Sequence, residues 1–306
     1  MRIVFMGTPE FAEASLRALT EAGQTLCGVF TQPDKPKNRG HKLTASPVKE
    51  YALAHGLPVF QPSKLRDGAA DDIRQLRPDL IVVAAYGKIL PEEILQIPRY
   101  ACINVHSSLL PAYRGAAPIN WAILNGETQT GVTIMHMAKE LDAGDIILQR
   151  ETSIAPDEDA QSLTMRLAAL GAEALLQALT AIESGAAPRF AQDPERVTYA
   201  PLLSKALSPV DWTRTAHEIN CQIRGLYPWP CATTNAIGGE TLKLFASAET
   251  GERTDSAPGR VTDTGKRGIG VACGDGLILR VTELQAQGKK RMSAASYLLG
   301  HPVSVG

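Results

Sequence analysis

The sequence predicts an α/β fold with a mostly parallel sheet, followed by a smaller C-terminal domain of short strands. Up to about residue 185, short apolar runs alternate with amphipathic stretches of helical length, the pattern of a parallel sheet covered on both faces. Beyond residue 210 the runs are punctuated by GG, TG and GDG turns, as in a small antiparallel barrel. A chain of 306 residues has room for a substantial core, and more naturally for two domains than for one.

In chain order, "RIVFMG" (2–7), "LCGVF" (26–30), "LIVVAAY" (80–86), "CINV" (102–105) and "GVTIMHM" (131–137) are strand candidates. Between them "EFAEASLRALTEAG" and "SPVKEYALAHG" read as helices that end at Gly23 and Gly56, glycine being the residue that tolerates the left-handed turn closing a helix. A long helix over 160–185 closes the domain. The stretch 186–210, broken by prolines and without a sustained period, reads as a linker crossing the surface. "DWTRTAHEINCQIRGL" is a further helix, and the strands of the barrel and a short final helix follow it. The expected organisation is 1–188, a linker over 189–206, and 207–306.

Composition narrows the class. The chain is 44% hydrophobic and 21% charged with a net charge of −1, as expected of a globular protein. No apolar run approaches the ~20 residues of a bilayer span. The N-terminus reads as a core strand and not as a secretory signal. Cys27, Cys102, Cys221, Cys231 and Cys273 are scattered without a CxxC pair, which predicts reduced thiols in a cytoplasmic protein. The six histidines do not pair with them at zinc-ligand spacings, so no metal is expected. From Lys205 onward there are 12 lysines and arginines against 9 acids, and 19 against 23 before it. So small an excess suggests nucleic acid only beside a local basic cluster.

Two turns bear on chemistry. In "GTPEFA" (7–12) Thr8 is placed to cap a helix with Pro9 in its first position. The glycine spacing matches neither dinucleotide nor nucleoside-triphosphate loops, which disfavours NAD and ATP. In "ACINVHSSLLPAYRG" (101–115), Asn104 and His106 lie two apart on a strand and share one side, at the carboxyl end where open parallel sheets keep their sites. Asp142, in "KELDAGD" after the next strand, is placed to approach the same crevice. A histidine at a strand end serves structure as readily as catalysis. Together, however, the three supply an oxyanion donor, an imidazole and a carboxylate for proton transfer. Without a nucleophile elbow around Ser107 and Ser108, direct transfer to an external nucleophile is favoured over a covalent intermediate.

"INVHSSLLPAYRGAAPINWAI" and "LDAGD", with "MGTPEFA", "FTQPDKPKNRGHKL", "SPVK", "VVAAYGKILP" and "KALSPVDW", resemble the formyltetrahydrofolate-dependent transferases, and among them those acting on initiator methionyl-tRNA. The resemblance runs from Met1 to "GKKRMSA" near the C-terminus. It implies a Rossmann-like catalytic domain joined to an OB-like barrel, with 10-formyltetrahydrofolate as formyl donor and Asn104, His106 and Asp142 as the catalytic set. It also implies that Ser108, Leu109, Leu110 and Pro111 line the folate site and that main chain near Ile89 and Leu90 holds the pterin. The loop "DKPKNRGHK" (34–42), with Lys35, Lys37, Arg39 and Lys42, becomes a grip on the tRNA acceptor end with Arg39 as its principal contact. Without the resemblance it reads as a solvated loop. "GKKRMS" (288–293) and "KRG" (266–268) would add phosphate contacts. The expected protein is a monomer away from membranes. A formyltransferase for nucleotide-linked amino sugars and a non-catalytic RNA-binding protein are the alternatives. The first would have no use for the basic loop, and the second none for the Asn/His/Asp set.

Overall fold

The computed structural model describes residues 1–37 and 42–306. The chain forms two compact units. One comprises Met1–Pro118, Gln129–Ser153 and Thr164–Ala200; the other comprises Ile119–Thr128, Ile154–Leu163 and Pro201–Gly306. Two inner stretches thus cluster with the C-terminal residues, which a reading of three consecutive segments does not contain.

The first unit is built on a seven-stranded sheet in the order Ile146–Ser153, Gln129–His136, Ala101–His106, Leu80–Ala84, Arg2–Gly7, Thr25–Phe30, Val59–Phe60. The last five are mutually parallel, whereas Gln129–His136 runs antiparallel to both of its neighbours, Ala101–His106 and Ile146–Ser153. Alternation divides the strands between two packed faces. Val4, Met6, Ile81, Val83 and Cys102 join Ala69, Ala70 and Ile73 of the helix Ala69–Leu76 in one buried cluster. On the opposite face, Val105 lies so close to Gly171 that a Cβ added there would stand 3.0 Å from it, so the helix Ala160–Glu183 packs against the sheet at that point. Asn104 and His106 alternate with Ile103 and Val105 and therefore belong to the Cys102 face.

Two expectations change. Thr8 does not cap the first helix. Pro9 is the N-cap of Glu10–Glu21 and makes no side-chain cap, while the Thr8 hydroxyl donates to the Tyr86 carbonyl at 3.3 Å. The competing tertiary acceptor wins over local capping. Second, Ala160–Glu183 is long and apolar enough, by length and composition, to cross a membrane, and half of its most apolar 18-residue window is buried. The stretch read as a surface linker runs mostly exposed over 189–199 and is also paired to the first unit. Phe190 bridges Ile146, and Tyr199–Ala200 pairs in parallel with Arg114–Gly115.

The second unit carries a six-stranded antiparallel sheet, ordered Ala232–Thr234, Leu242–Arg253, Leu277–Ala286, Gly268–Ala272, Val261–Gly265, with Met292–Ser293 beside Leu277–Ala286. Its core packs Trp212, Ile219 and Ile223 against Leu242, Leu244, Val271, Leu279 and Val281. The helix Ala216–Gly225 starts in a capping box, Thr215 accepting from the Glu218 amide and Glu218 from the Thr215 amide. Each partner satisfies an amide that the helix leaves free.

Candidate active site

All three expected catalytic residues lie in the first unit at the carboxyl edge of its sheet. His106 ends its strand opposite Thr133, and Asn104 lies opposite Met135. His106 is 5% exposed. Its Nε2 is 3.0 Å from the Tyr113 carbonyl, which can only accept, so Nε2 carries a proton and Nδ1 is the edge turned to the carboxylate. Asp142 Oδ2 stands 3.7 Å from that Nδ1 and accepts the Gly115 amide at 2.8 Å. The half-buried Asn104 amide takes no hydrogen bond from the described residues. The Asn104 amide is thus a donor without an acceptor beside a buried imidazole, and a developing oxyanion would supply that acceptor.

The backbone around this edge is held in uncommon conformations. Among the described non-glycine residues with left-handed φ are Ala85 at 42°, Tyr113 at 61° and Asp142 at 49°. Such residues persist where their surroundings over-determine them. Around Asp142 the determinants are visible. Gln192 Nε2 donates to the carbonyls of Asp142 and Gly144, each at 2.8 Å. Gly144 lies against the His136 carbonyl, where an added Cβ would stand at 1.8 Å. The Asp145 carbonyl accepts the His136 amide at 2.9 Å.

The segment expected to line a folate site, Ser108 to Pro111, is organised by one buried hydroxyl. Thr133 Oγ1 donates to the Ser108 carbonyl at 2.7 Å and accepts from the Leu110 amide at 3.1 Å and from Gln149 Nε2 at 2.9 Å. Gln149 also donates to the Leu110 carbonyl at 2.8 Å. Ser108 is fully buried and donates to the Ala112 carbonyl at 2.6 Å, an arrangement that shapes a turn and offers no nucleophile. Leu110 packs with Met135 and Ile146, and the Leu110–Pro111 peptide is cis. Leu109 is partly exposed.

The second expected folate segment follows Leu80–Ala84. Gln32 Nε2 donates to the carbonyls of Tyr86 at 3.0 Å and Gly87 at 3.2 Å, and Lys88 Nζ donates to Ser63 at 2.9 Å. Burial pushes the Tyr86 phenol up to about 12. Leu90 is in the core at 5% exposure, whereas Ile89 is 81% exposed and lines a cleft of about 490 Å³ with Lys64, Leu65, Arg66, Lys88 and Pro91.

In the basic loop, Arg39 lies outside the described residues. Lys35–Lys37 and Lys42–Thr44 pair antiparallel, with Lys37 opposite Lys42. Asp34, the acid of this loop, is neutralised at its base, 2.7 Å from Lys49 Nζ and 2.8 Å from Gln61 Nε2. The Lys49 hydrogen bond leads the effects that hold its carboxyl below the usual range. In the second unit Arg267 is 3.8 Å from Glu252, and Arg291 pairs with Glu283. Lys266, Lys289 and Lys290 are exposed. Among the described residues no group of three His, Cys, Asp or Glu is placed to hold a metal, and all five cysteines are free and buried.

Sequence reasoning missed Gln192, Thr133 and the main-chain groups of Tyr113 and Gly115. Thr133 did leave a signal, a hydroxyl inside the apolar run "GVTIM". The others left none.

The formyl transferase family model matches residues 1–179, and the model of the formyl transferase C-terminal domain matches residues 202–302. The methionyl-tRNA formyltransferase of Trichlorobacter lovleyi is 52% identical over 306 residues, covering 100% of this chain and 96% of that protein. That of Geobacter sulfurreducens is 50% identical over 307 residues, with coverages of 100% and 96%. Among solved structures, an N-formyltransferase from Helicobacter canadensis in complex with folinic acid and dTDP-3-aminofucose superposes with a TM-score of 0.70 at 19% identity, covering 92% of this chain and 98% of that one. At that identity the likeness is one of fold.

Proposed function

Because this chain belongs to the formyl transferase family, we propose that its site moves the formyl group of 10-formyltetrahydrofolate onto the α-amino group of initiator methionyl-tRNA, the step that prepares it for translation initiation. The chain is an enzyme of formyl transfer, and half of its residues are shared, end to end, with methionyl-tRNA formyltransferases. The observation that carries the chemistry is the convergence of His106 and Asp142 at 3.7 Å, with the unpaired Asn104 amide on the same strand face.

An α-amino group titrates near ~8, so the nucleophile is available uncharged without a strong base. The bond that forms joins that nitrogen to the formyl carbon, and the bond that breaks joins the carbon to the folate nitrogen. Between them the formyl oxygen carries the charge; Asn104 donates to it directly, and His106 donates once its Nε2 proton leaves the Tyr113 carbonyl or its Nδ1 takes a proton. Removing one such donor costs ~10²–10³ in rate. Asp142 orients His106, takes the proton that the attacking nitrogen sheds and passes it through water to the departing folate nitrogen. Ser108 to Pro111 and the main chain at Ile89 and Leu90 are the folate-binding segments in this reading. Lys35, Lys37, Arg39 and Lys42 bind the tRNA. The reaction belongs to the cytoplasm, with the protein acting as a monomer.

The test supplies 10-formyltetrahydrofolate with methionyl-tRNA in one series and nucleotide-linked amino sugars in another. Formyl-methionyl-tRNA is the expected product. Formylated sugar with untouched tRNA would overturn the reading, and no transfer to either would remove the enzymatic one.

A further inference from the structure

We propose that Gln192 is a positioning residue for Asp142, an inference that rests on the reading of Asp142 as a catalytic carboxylate. The Gln192 amide uses its whole capacity. Its nitrogen donates to the carbonyls of Asp142 and Gly144 at 2.8 Å each, and its oxygen accepts from Arg114 Nε at 3.0 Å and Nη2 at 2.7 Å. A guanidinium can only donate and a carbonyl can only accept, so this side chain has one possible orientation. The residue after Arg114 closes the circuit, because the Gly115 amide donates to Asp142 Oδ2 at 2.8 Å. Asp142 is therefore gripped twice, at its carboxylate by Gly115 and at its carbonyl by Gln192, and Arg114 links the two grips.

The need for such a grip follows from the backbone. Asp142 sits at φ 49°, a left-handed conformation that a residue other than glycine keeps where its surroundings hold it there. Left to itself, the "DAGD" turn would relax and carry the carboxylate away from His106. The stretch bearing Gln192 is anchored on both sides of it, Phe190 against Ile146 and Tyr199–Ala200 against Arg114–Gly115, while the Thr198 hydroxyl accepts the Tyr113 amide at 2.8 Å. Gln192 thus transmits the position of a distant stretch of chain to the carboxylate 3.7 Å from His106.

The test uses the full chain with Gln192→Met, which keeps the length and removes all four bonds, and Gln192→Glu, which keeps an acceptor for Arg114 and removes both donations. Misplacement of a reacting group by about 1 Å can cost 10²-fold. Turnover is therefore expected to fall about 10- to 100-fold in both variants, with KM for tRNA and folate within about twofold. Combining either change with Asp142→Asn should leave turnover no lower than in Asp142→Asn alone, because the grip has nothing left to position. Turnover within threefold of wild type in both variants overturns the proposal. So does a double variant whose losses multiply, or a rise in KM without loss of turnover. If Asp142→Asn alone turns over at the wild-type rate, the catalytic reading fails and takes this one with it. A slow Asp142→Asn beside fast Gln192 variants sinks only the positioning role.

Discussion

His106 Nδ1 and Asp142 Oδ2 stand 3.7 Å apart, longer than a hydrogen bond, while the same oxygen holds the Gly115 amide at 2.8 Å. The carboxylate is thus committed to the backbone and leans towards the imidazole without closing on it. Catalytic hydrogen bonds commonly tighten only when substrate is bound. His106→Ala and Asp142→Asn should each lower turnover by about 10²-fold or more, with Michaelis constants for both substrates little changed. Single-turnover formylation read by acid gel of the tRNA checks this, and near wild-type rates in either variant would remove the assignment.

Thr133→Val tests the hydroxyl that organises Ser108 to Pro111. The replacement is nearly isosteric, but it strips three hydrogen bonds from a fully buried position. Leaving buried groups unpaired costs about 1–3 kcal/mol, to be read as a lower urea midpoint. The Michaelis constant for the folate donor should rise as the segment loosens, with that for tRNA unaffected. An unchanged donor constant would detach this segment from folate binding.

His136 predicts an acid limb of stability. It is 8% exposed, its Nε2 has no hydrogen-bond partner among the described residues, and it lies near Arg189 and Asp145. Burial first, then Arg189, lowers its pKa from 6.5. The unfolded chain therefore binds this proton more readily than the folded one, so stability is complete above 6.5 and declines as pH falls below it. One such proton gives a slope of at most about 1.4 kcal/mol per pH unit. Urea melts from pH 7.5 to 5 should show the decline in wild type and a flatter one in His136→Phe. Parallel curves would assign the limb to other groups.

Arg39→Ala should raise the Michaelis constant for tRNA and flatten its dependence on salt by about one unit in slope, as expected for a lost phosphate contact. Asp34 is already neutralised by Lys49, so the cations of this loop are not offset from within it. Folate binding should not move. Initial rates against tRNA at several salt concentrations decide it, and an identical tRNA dependence would return the loop to a solvated segment.

Five of the seven strands were legible because each is a short, continuously apolar run; Val59–Phe60, two residues long, and Ile146–Ser153, polar and exposed over its second half, gave no such run. Asn104 and His106 were legible because residues two apart on a strand share a side. Asp142 could be placed beside them from its position after the next strand. Gln192 could not. It lies in an aperiodic, proline-broken stretch, and the carbonyls it holds are 50 and 48 residues away, so only the tertiary fold gives it meaning. The Thr8 cap failed for a related reason, because a carbonyl 78 residues distant took the hydroxyl.

The interleaving of the two units bears on how such a chain can be recombined. Residues 119–128 and 154–163 belong with 201–306. There the Asn120 amide donates to the Gly225 carbonyl and the Trp121 indole to that of Pro201, each at 2.8 Å, with Ile123 fully buried. A crossover near residue 200 therefore does not exchange a cassette. The grafted half arrives beside the host's version of two segments it was shaped with, and a hybrid gene regains the parental fold only if three stretches of sequence are inherited together.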